Sequence, residues 1–181
     1  HQDTIVIGAP QSDIVSGTEG EVYVITKQPS GWPTHALNDE EGVQTLRAGD
    51  GTTGDFFGTS VAINNDMIVV GSPKVTSPSG NARAGAVYIF IKNTSGDGVT
   101  WGVHGGDFFD GGSWFIQTAK LFAVRHELSL GEYITVEDDG NSDYFGVQVA
   151  LDDSYLVVSS ADDDENLSNS GSVYVYLLVD G

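Results

Sequence analysis

Asp55-Phe56-Phe57-Gly58-Thr59-Ser60-Val61-Ala62-Ile63-Asn64-Asn65-Asp66-Met67-Ile68-Val69-Val70-Gly71-Ser72-Pro73 decides how this chain is built. Val61 and Ile63 alternate with Ser60, Ala62 and Asn64, the period of a half-buried strand. Asn64-Asn65-Asp66 supplies residues that tolerate the positive φ of a hairpin turn. Ile68-Val69-Val70 is continuous and apolar, as a strand covered on both faces should be. Gly71-Ser72-Pro73 then stops it. The stretch reads as strand, turn, strand, stop.

Nearly the same sentence returns at Asp143 to Ala161, with Phe145-Gly146 leading into Val147-Gln148-Val149-Ala150-Leu151 and then Tyr155-Leu156-Val157-Val158. Its second half also stands near the start, as Thr4-Ile5-Val6-Ile7-Gly8-Ala9-Pro10. Each copy is followed by a β-rich segment with a central tyrosine: Glu21–Lys27 around Tyr23, Gly85–Ile91 around Tyr88, Ser172–Leu178 around Tyr174. Val43-Gln44-Thr45-Leu46 adds a further alternating strand, and Ser113–Leu121 reads as one more. Residues Val124 to Leu130 read equally as a helical turn or a strand, and Tyr133–Val136 as a strand. With no long amphipathic helix, the expected fold is all-β. The repeat unit is about four strands, which suggests propeller blades. The architecture predicted is therefore β-propeller-type, with about three four-stranded antiparallel blades, the first and last incomplete. Counted from inner to outer strand, the copies should hold three, four and three strands. The chain is one domain, 1–181, with copies at approximately 1–48, 49–122 and 138–181 and insertions near 94–112 and 122–137.

Composition narrows the function. Lys and Arg number 7 against 26 Asp and Glu, a net charge of −19. Such a surface repels nucleic-acid phosphates and anionic membranes alike. It suits a soluble protein in salty or calcium-rich surroundings, and equally plain solubility. The chain has no cysteine, so disulfides carry no information about compartment. No apolar run is long enough for a membrane-spanning helix. The start falls inside what looks like a strand and is not Met, so the chain is expected to be processed, excised or trimmed.

Phe57-Gly58, then Gly71-Ser72-Pro73, then Gly85-Ala86-Val87-Tyr88 resembles the FG-GAP repeat. Phe145-Gly146 with Gly171-Ser172-Val173-Tyr174 repeats the pattern, as do Gly8-Ala9-Pro10 and Gly20-Glu21-Val22-Tyr23. Trp114 with Lys120-Leu121 is similar to the outer-strand segment of the bacterial-type subfamily. The resemblance implies the propeller of integrin α-subunit heads and of many bacterial and algal surface proteins, hence an extracellular or cell-surface location. It is specific for fold and weak for function. Two departures matter. Where integrin-type repeats hold a calcium loop, this chain has the short turns Asn64-Asn65-Asp66 and Asp152-Asp153-Ser154, too short to wrap an ion that takes about six to eight oxygens. The third stop is also eroded to Ser159-Ser160-Ala161. A complete ring of blades needs a longer chain or other copies completing the open sheet edges.

Four sets of candidate site residues remain. Asp162, Asp164, Asn166 and Ser168 place oxygens at alternate positions, a spacing that suits calcium, against the plain reading of a solvated acidic loop. The connectors Asp50 to Asp55 and Asp138 to Asp143 are a second cation candidate, against the reading of turns that open a strand. Trp101, His104, Phe108 and Phe109 sit among glycines in the 94–112 insertion and could anchor a partner or stack on sugars. The alternative there is an insertion folded over the blade edge. Asn93-Thr94-Ser95 and Asn166-Leu167-Ser168 are glycosylation triplets at Asn93 and Asn166. Glycan and ion use of Asn166 exclude each other. The four His, at 1, 35, 104 and 126, lack metal-ligand spacing, and no nucleophile elbow occurs. The expected function is a non-enzymatic extracellular structural or adhesive repeat protein working through protein–protein contacts, including a polymeric surface assembly. The alternatives are a calcium-dependent recognition module for glycan or protein, and a propeller domain accessory to an enzyme. No cofactor is expected beyond candidate calcium.

Overall fold

The computed structural model describes residues 3–12, 19–34, 41–78, 80–93, 100–105, 114–116, 119–121, 142–163, 168 and 170–178; for 100, 103–105, 114–116 and 119–121 the backbone alone is described. All its regular elements are strands: β1 (Thr4–Ala9), β2 (Glu21–Thr26), β3 (Val43–Arg47), β4 (Ser60–Ile63), β5 (Met67–Ser72), β6 (Ala86–Asn93), β7 (Thr100–Trp101), β8 (Val103–Gly105), β9 (Trp114–Ile116), β10 (Ala119–Leu121), β11 (Phe145–Leu151), β12 (Tyr155–Ser160) and β13 (Ser172–Leu177). They form three sheets, ordered β1-β2-β3-β9-β8, β4-β5-β6-β10 with β7 also on β6, and β11-β12-β13. The expected three, four and three blade strands are β1 to β3, then β4, β5, β6 and β10, then β11 to β13. The fold is all-β and of propeller-blade type.

Register makes the three sheets superimposable in sequence. Ile7 pairs Tyr23, Val70 pairs Tyr88 and Val158 pairs Tyr174. One residue later Gly8 pairs Val22, Gly71 pairs Val87 and Ser159 pairs Val173. The inner strands adjoin: β4 lies beside both β1 and β11. Each sheet thus has a leading face toward the next sheet and a trailing face toward the previous one.

Burial between sheets creates the core. The leading face of the first sheet, with Val22, Val24 and Leu46, meets the trailing face of the second, with Ile68, Val70, Tyr88 and Phe90. The leading face of the second, with Met67, Val69, Val87 and Ile89, meets Leu156, Val158 and Tyr176 of the third. Every residue of β5 is buried, as its continuous apolar run predicts. Phe57 and Phe145 are the wedges between sheets. Phe57 stands edge-on to Tyr88 with ring centroids 5.3 Å apart, and Phe145 to Tyr174 at the same 5.3 Å. Their backbone N–H groups donate to the loop of the preceding sheet, Phe57 to Glu19 O at 3.0 Å and Phe145 to Ala84 O at 2.9 Å.

The two glycines of the motif have a steric duty here. A Cβ on Gly71 would lie 1.9 Å from the Gly146 carbonyl oxygen, and one on Gly8 2.0 Å from that of Gly58. The stop glycine of one sheet therefore admits the Phe-Gly carbonyl of the next, an approach that only a residue without Cβ permits.

Two expectations need correction. Ser113–Leu121 is not one strand: β9 pairs in parallel with β3 of the first sheet, whereas β10 pairs antiparallel with β6 of the second. A uniformly β-prone run carries no sign of which edge it joins, and here two different edges compete for it. The insertion also adds more strands than expected, since the β8–β9 hairpin reaches back to cover the outer edge of the first sheet. The regions Val124–Leu130 and Tyr133–Val136 lie outside the described residues.

Candidate partner-contact surface

Among the described residues, the sheets at the two ends have one face each that no other sheet covers. On the trailing face of the first, Ile5 and Ile7 are each 45% exposed. On the leading face of the third, Val173 is 66% and Val175 62% exposed, with Tyr155 and Leu177 also exposed. These apolar positions alternate with less exposed ones along β1 and β13. Aligned large apolar side chains in water mark contact surfaces on soluble proteins. They are the main concentration of unsatisfied surface among the described residues.

Beside the acidic candidates, neighbouring groups carry structural bonds. Asp163, adjacent to the proposed ligand positions, is buried, and its carboxylate accepts the Tyr174 hydroxyl at 2.5 Å. Its carbonyl closes the loop by accepting Ser170 and Gly171 N–H groups, both at 3.1 Å. The equivalent loop of the second sheet closes the same way on Val75, where Gly85 donates at 3.0 Å. Asp162 donates its N–H to the Asp143 carbonyl and Ser168 is exposed. Asp164 and Asn166 lie outside the described residues. Among the described residues no group of three or more His, Asp and Glu side chains is placed to hold a metal ion.

The first connector behaves as a turn, while 138–141 of the second lie outside the described residues. Asp55 accepts the Thr52 N–H at 2.8 Å, and its carbonyl accepts the Ser72 hydroxyl at 2.9 Å. Asp143 repeats this with Ser160 at 2.7 Å. The hairpin tips are likewise closed on themselves. Asn64 Oδ1 accepts the N–H groups of Asp66 and Met67, and Asp152 Oδ1 those of Ser154 and Tyr155. Those two N–H bonds hold the Asp152 carboxyl below its ordinary pKa. Asn64 Nδ2 reaches the Asp152 carbonyl at 3.1 Å, which locks neighbouring tips together.

The repeated tyrosines show how one position recruits different acids. Tyr23 donates to Glu21 at 2.9 Å, Tyr88 to Asp50 at 3.2 Å and Tyr174 to Asp163. Burial raises the Tyr23 and Tyr88 pKa values, and the neighbouring carboxylates add to it, so both stay donors. Glu21 anchors a buried cluster with no counterpart among the described residues of the other sheets. Arg47 Nε lies 2.7 Å from Glu21 Oε1, and Ser12 Oγ 2.8 Å from Oε2. Sequence reasoning missed this cluster. Its signal was Arg47 itself, one of only 7 basic residues, placed on an alternating strand.

A model described as FG-GAP repeat matches residues 41–90 and 132–176, just over half of the chain. The chain belongs to the FG-GAP repeat family. No curated protein sequence matches it. FG-GAP repeats form propeller-type modules that mediate protein–protein interaction and are typically extracellular or surface-borne. Against that background the aromatic candidates divide. Trp101 is 2% exposed and belongs to the core between the first two sheets, with Lys92 Nζ 5.8 Å from its ring centre. It is therefore not a partner anchor: pairing of β7 with the end of β6 turns its ring inward. His104 lies in β8, described by backbone alone; Phe108 and Phe109 lie outside the described residues. Asn93 is exposed at the end of β6. Among the described residues no helix is long and apolar enough to cross a membrane.

Proposed function

We propose that this FG-GAP chain is a non-enzymatic structural and adhesive protein of the extracellular space or cell surface, acting through protein–protein contacts made by its open sheet faces. One observation carries the reading. Val173 and Val175 occupy the positions that Val87 and Ile89 hold in the second sheet, where both are buried. Such side chains in this fold belong against another sheet, so exposure marks a surface built for a partner. The acidic surface adds solubility outside the contact faces.

Antibody labelling of intact, unpermeabilised source cells tests the reading, with the native chain and a Val173→Asp/Val175→Asp variant compared. The native chain is expected to label the cell exterior, and the variant to be shed into the medium. Labelling that needs permeabilisation overturns it. Calcium dependence separates the recognition-module alternative: melting temperature is expected to be the same in calcium and in chelator, because the hairpin-tip oxygens are already bonded to backbone N–H groups.

A further inference from the structure

We propose that the ring of Tyr144, beside Asp162, receives a lysine side chain from a partner protein. This place is separate from the open sheet faces. Its template lies in the second sheet, where Lys74 Nζ stands 3.9 Å from the centre of the Phe56 ring. The third sheet builds the same frame without that cation. Phe56 and Tyr144 both hold left-handed backbone, with φ of 58° and 55°, immediately before the wedge phenylalanine. Their carbonyls each accept the N–H three residues on, from Thr59 and Val147, at 3.2 Å. Lys74 donates its N–H to the Asp55 carbonyl at 3.3 Å, and Asp162 donates its own to the Asp143 carbonyl at 3.4 Å. Ser72 and Ser160 donate their hydroxyls to the same two carbonyls. With the backbone matched on both sides, Tyr144 stands where Phe56 does, and Asp162 where Lys74 does.

The chemistry left at that place is complementary to an ammonium. An aromatic face attracts a cation through its quadrupole, more strongly where water is partly excluded. Tyr144 and Asp162 are both partly buried. No cation of the described residues stands over the Tyr144 ring. Arg83 meets Tyr144 through its backbone, its carbonyl accepting the Tyr144 N–H at 3.1 Å. Where the second sheet supplies the lysine itself, the third supplies a carboxylate, which attracts a lysine brought from outside. A ring face suits an organic cation, whereas calcium takes about six to eight oxygens. The neighbouring Asp163 carboxylate is already bonded to the Tyr174 hydroxyl. With 26 acidic against 7 basic residues, the whole surface also draws a basic protein segment toward this place.

Titration of the full chain with trilysine tests this, followed by NMR of the tyrosine rings at about 0.15 M salt, where long-range attraction is screened. The Tyr144 ring resonances are expected to shift and to saturate. Tyr144→Leu should weaken binding about three- to tenfold. Tyr144→Phe, which installs the ring that the second sheet uses, should retain it, and so separates loss of the ring from misfolding. Asp162→Lys places the ammonium within the chain and should weaken binding at least about tenfold. Asp153→Lys makes the same charge change at the exposed tip beyond the far end of β11 and should weaken it much less. Phe56→Leu should leave it unchanged, because Lys74 already occupies that ring. Trilysine that leaves the Tyr144 ring unmoved overturns the proposal. So does an equal loss with Phe56→Leu and Tyr144→Leu, or with Asp153→Lys and Asp162→Lys, since net charge alone would then account for the binding.

Discussion

The second and third sheets carry the same strand sequence in different surroundings. Met67–Ser72 is buried along its whole length, whereas Tyr155–Ser160 is buried only at alternate residues. Ile68-Val69-Val70 and Leu156-Val157-Val158 are near copies, so composition does not explain the contrast. What differs is whether a neighbouring sheet covers each face. In this architecture burial belongs to the interface between repeats, and one sheet taken alone has two apolar sides.

That contrast can be broken by substitution. The largest effect is expected at the aromatic wedges, because each contributes to two sheets at once. Phe57→Ala and Phe145→Ala should each cost about 3–5 kcal/mol by chemical denaturation; a loss near that of a surface change would show that the wedges do not hold the sheets together. Next, Ile89→Ala should cost about 2–4 kcal/mol, while Val175→Ala, at the equivalent open position, should fall within about 0.5 kcal/mol in dilute monomer. Equal losses would mean that the third sheet's leading face is covered within the chain itself.

Gly71→Ala should cost about 1–3 kcal/mol, since its Cβ would meet the Gly146 carbonyl and neither backbone can yield freely. Ser159→Ala, at the same register position, should be near neutral in the monomer. A tolerated Gly71→Ala would show that the sheets can separate slightly without loss.

The smallest effect concerns the hairpin tips. Asp152 titrates below its ordinary range in the folded chain, so the stabilisation it lends is present above the unfolded-state carboxylate pKa. That contribution is lost as pH falls through the lower folded value. Asp152→Asn should remove this acid dependence, leaving a tip like the one at Asn64. An NMR titration in which Asp152 behaves as a free aspartate would refute the assignment.

Much of this was legible in the residues. Alternation at Val61–Ile63, the unbroken Ile68–Val70 run and the recurring Tyr23, Tyr88 and Tyr174 fix strand order and blade count, because period and register are local properties. The turns at Asn64 and Asp152 are legible for the same reason. Long-range choices are not. Trp101 sits in a glycine-rich insertion that reads as a loop, yet its large apolar ring finds more burial under the sheet than a partner could offer from outside. Ser113–Leu121 is β-prone throughout, and nothing within it says that its two ends belong to different sheets. Glu21 and Arg47 meet across paired strands, and only three-dimensional register reveals it.

The parallel pairing of β9 with β3 also sets an order of events. Thr45 waits for Trp114, so the outer edge of the first sheet stays open until nearly seventy further residues have been made. During synthesis that edge is an exposed template for foreign strands. Slowing translation between these two points should therefore raise aggregation of the nascent chain more than slowing it after β10.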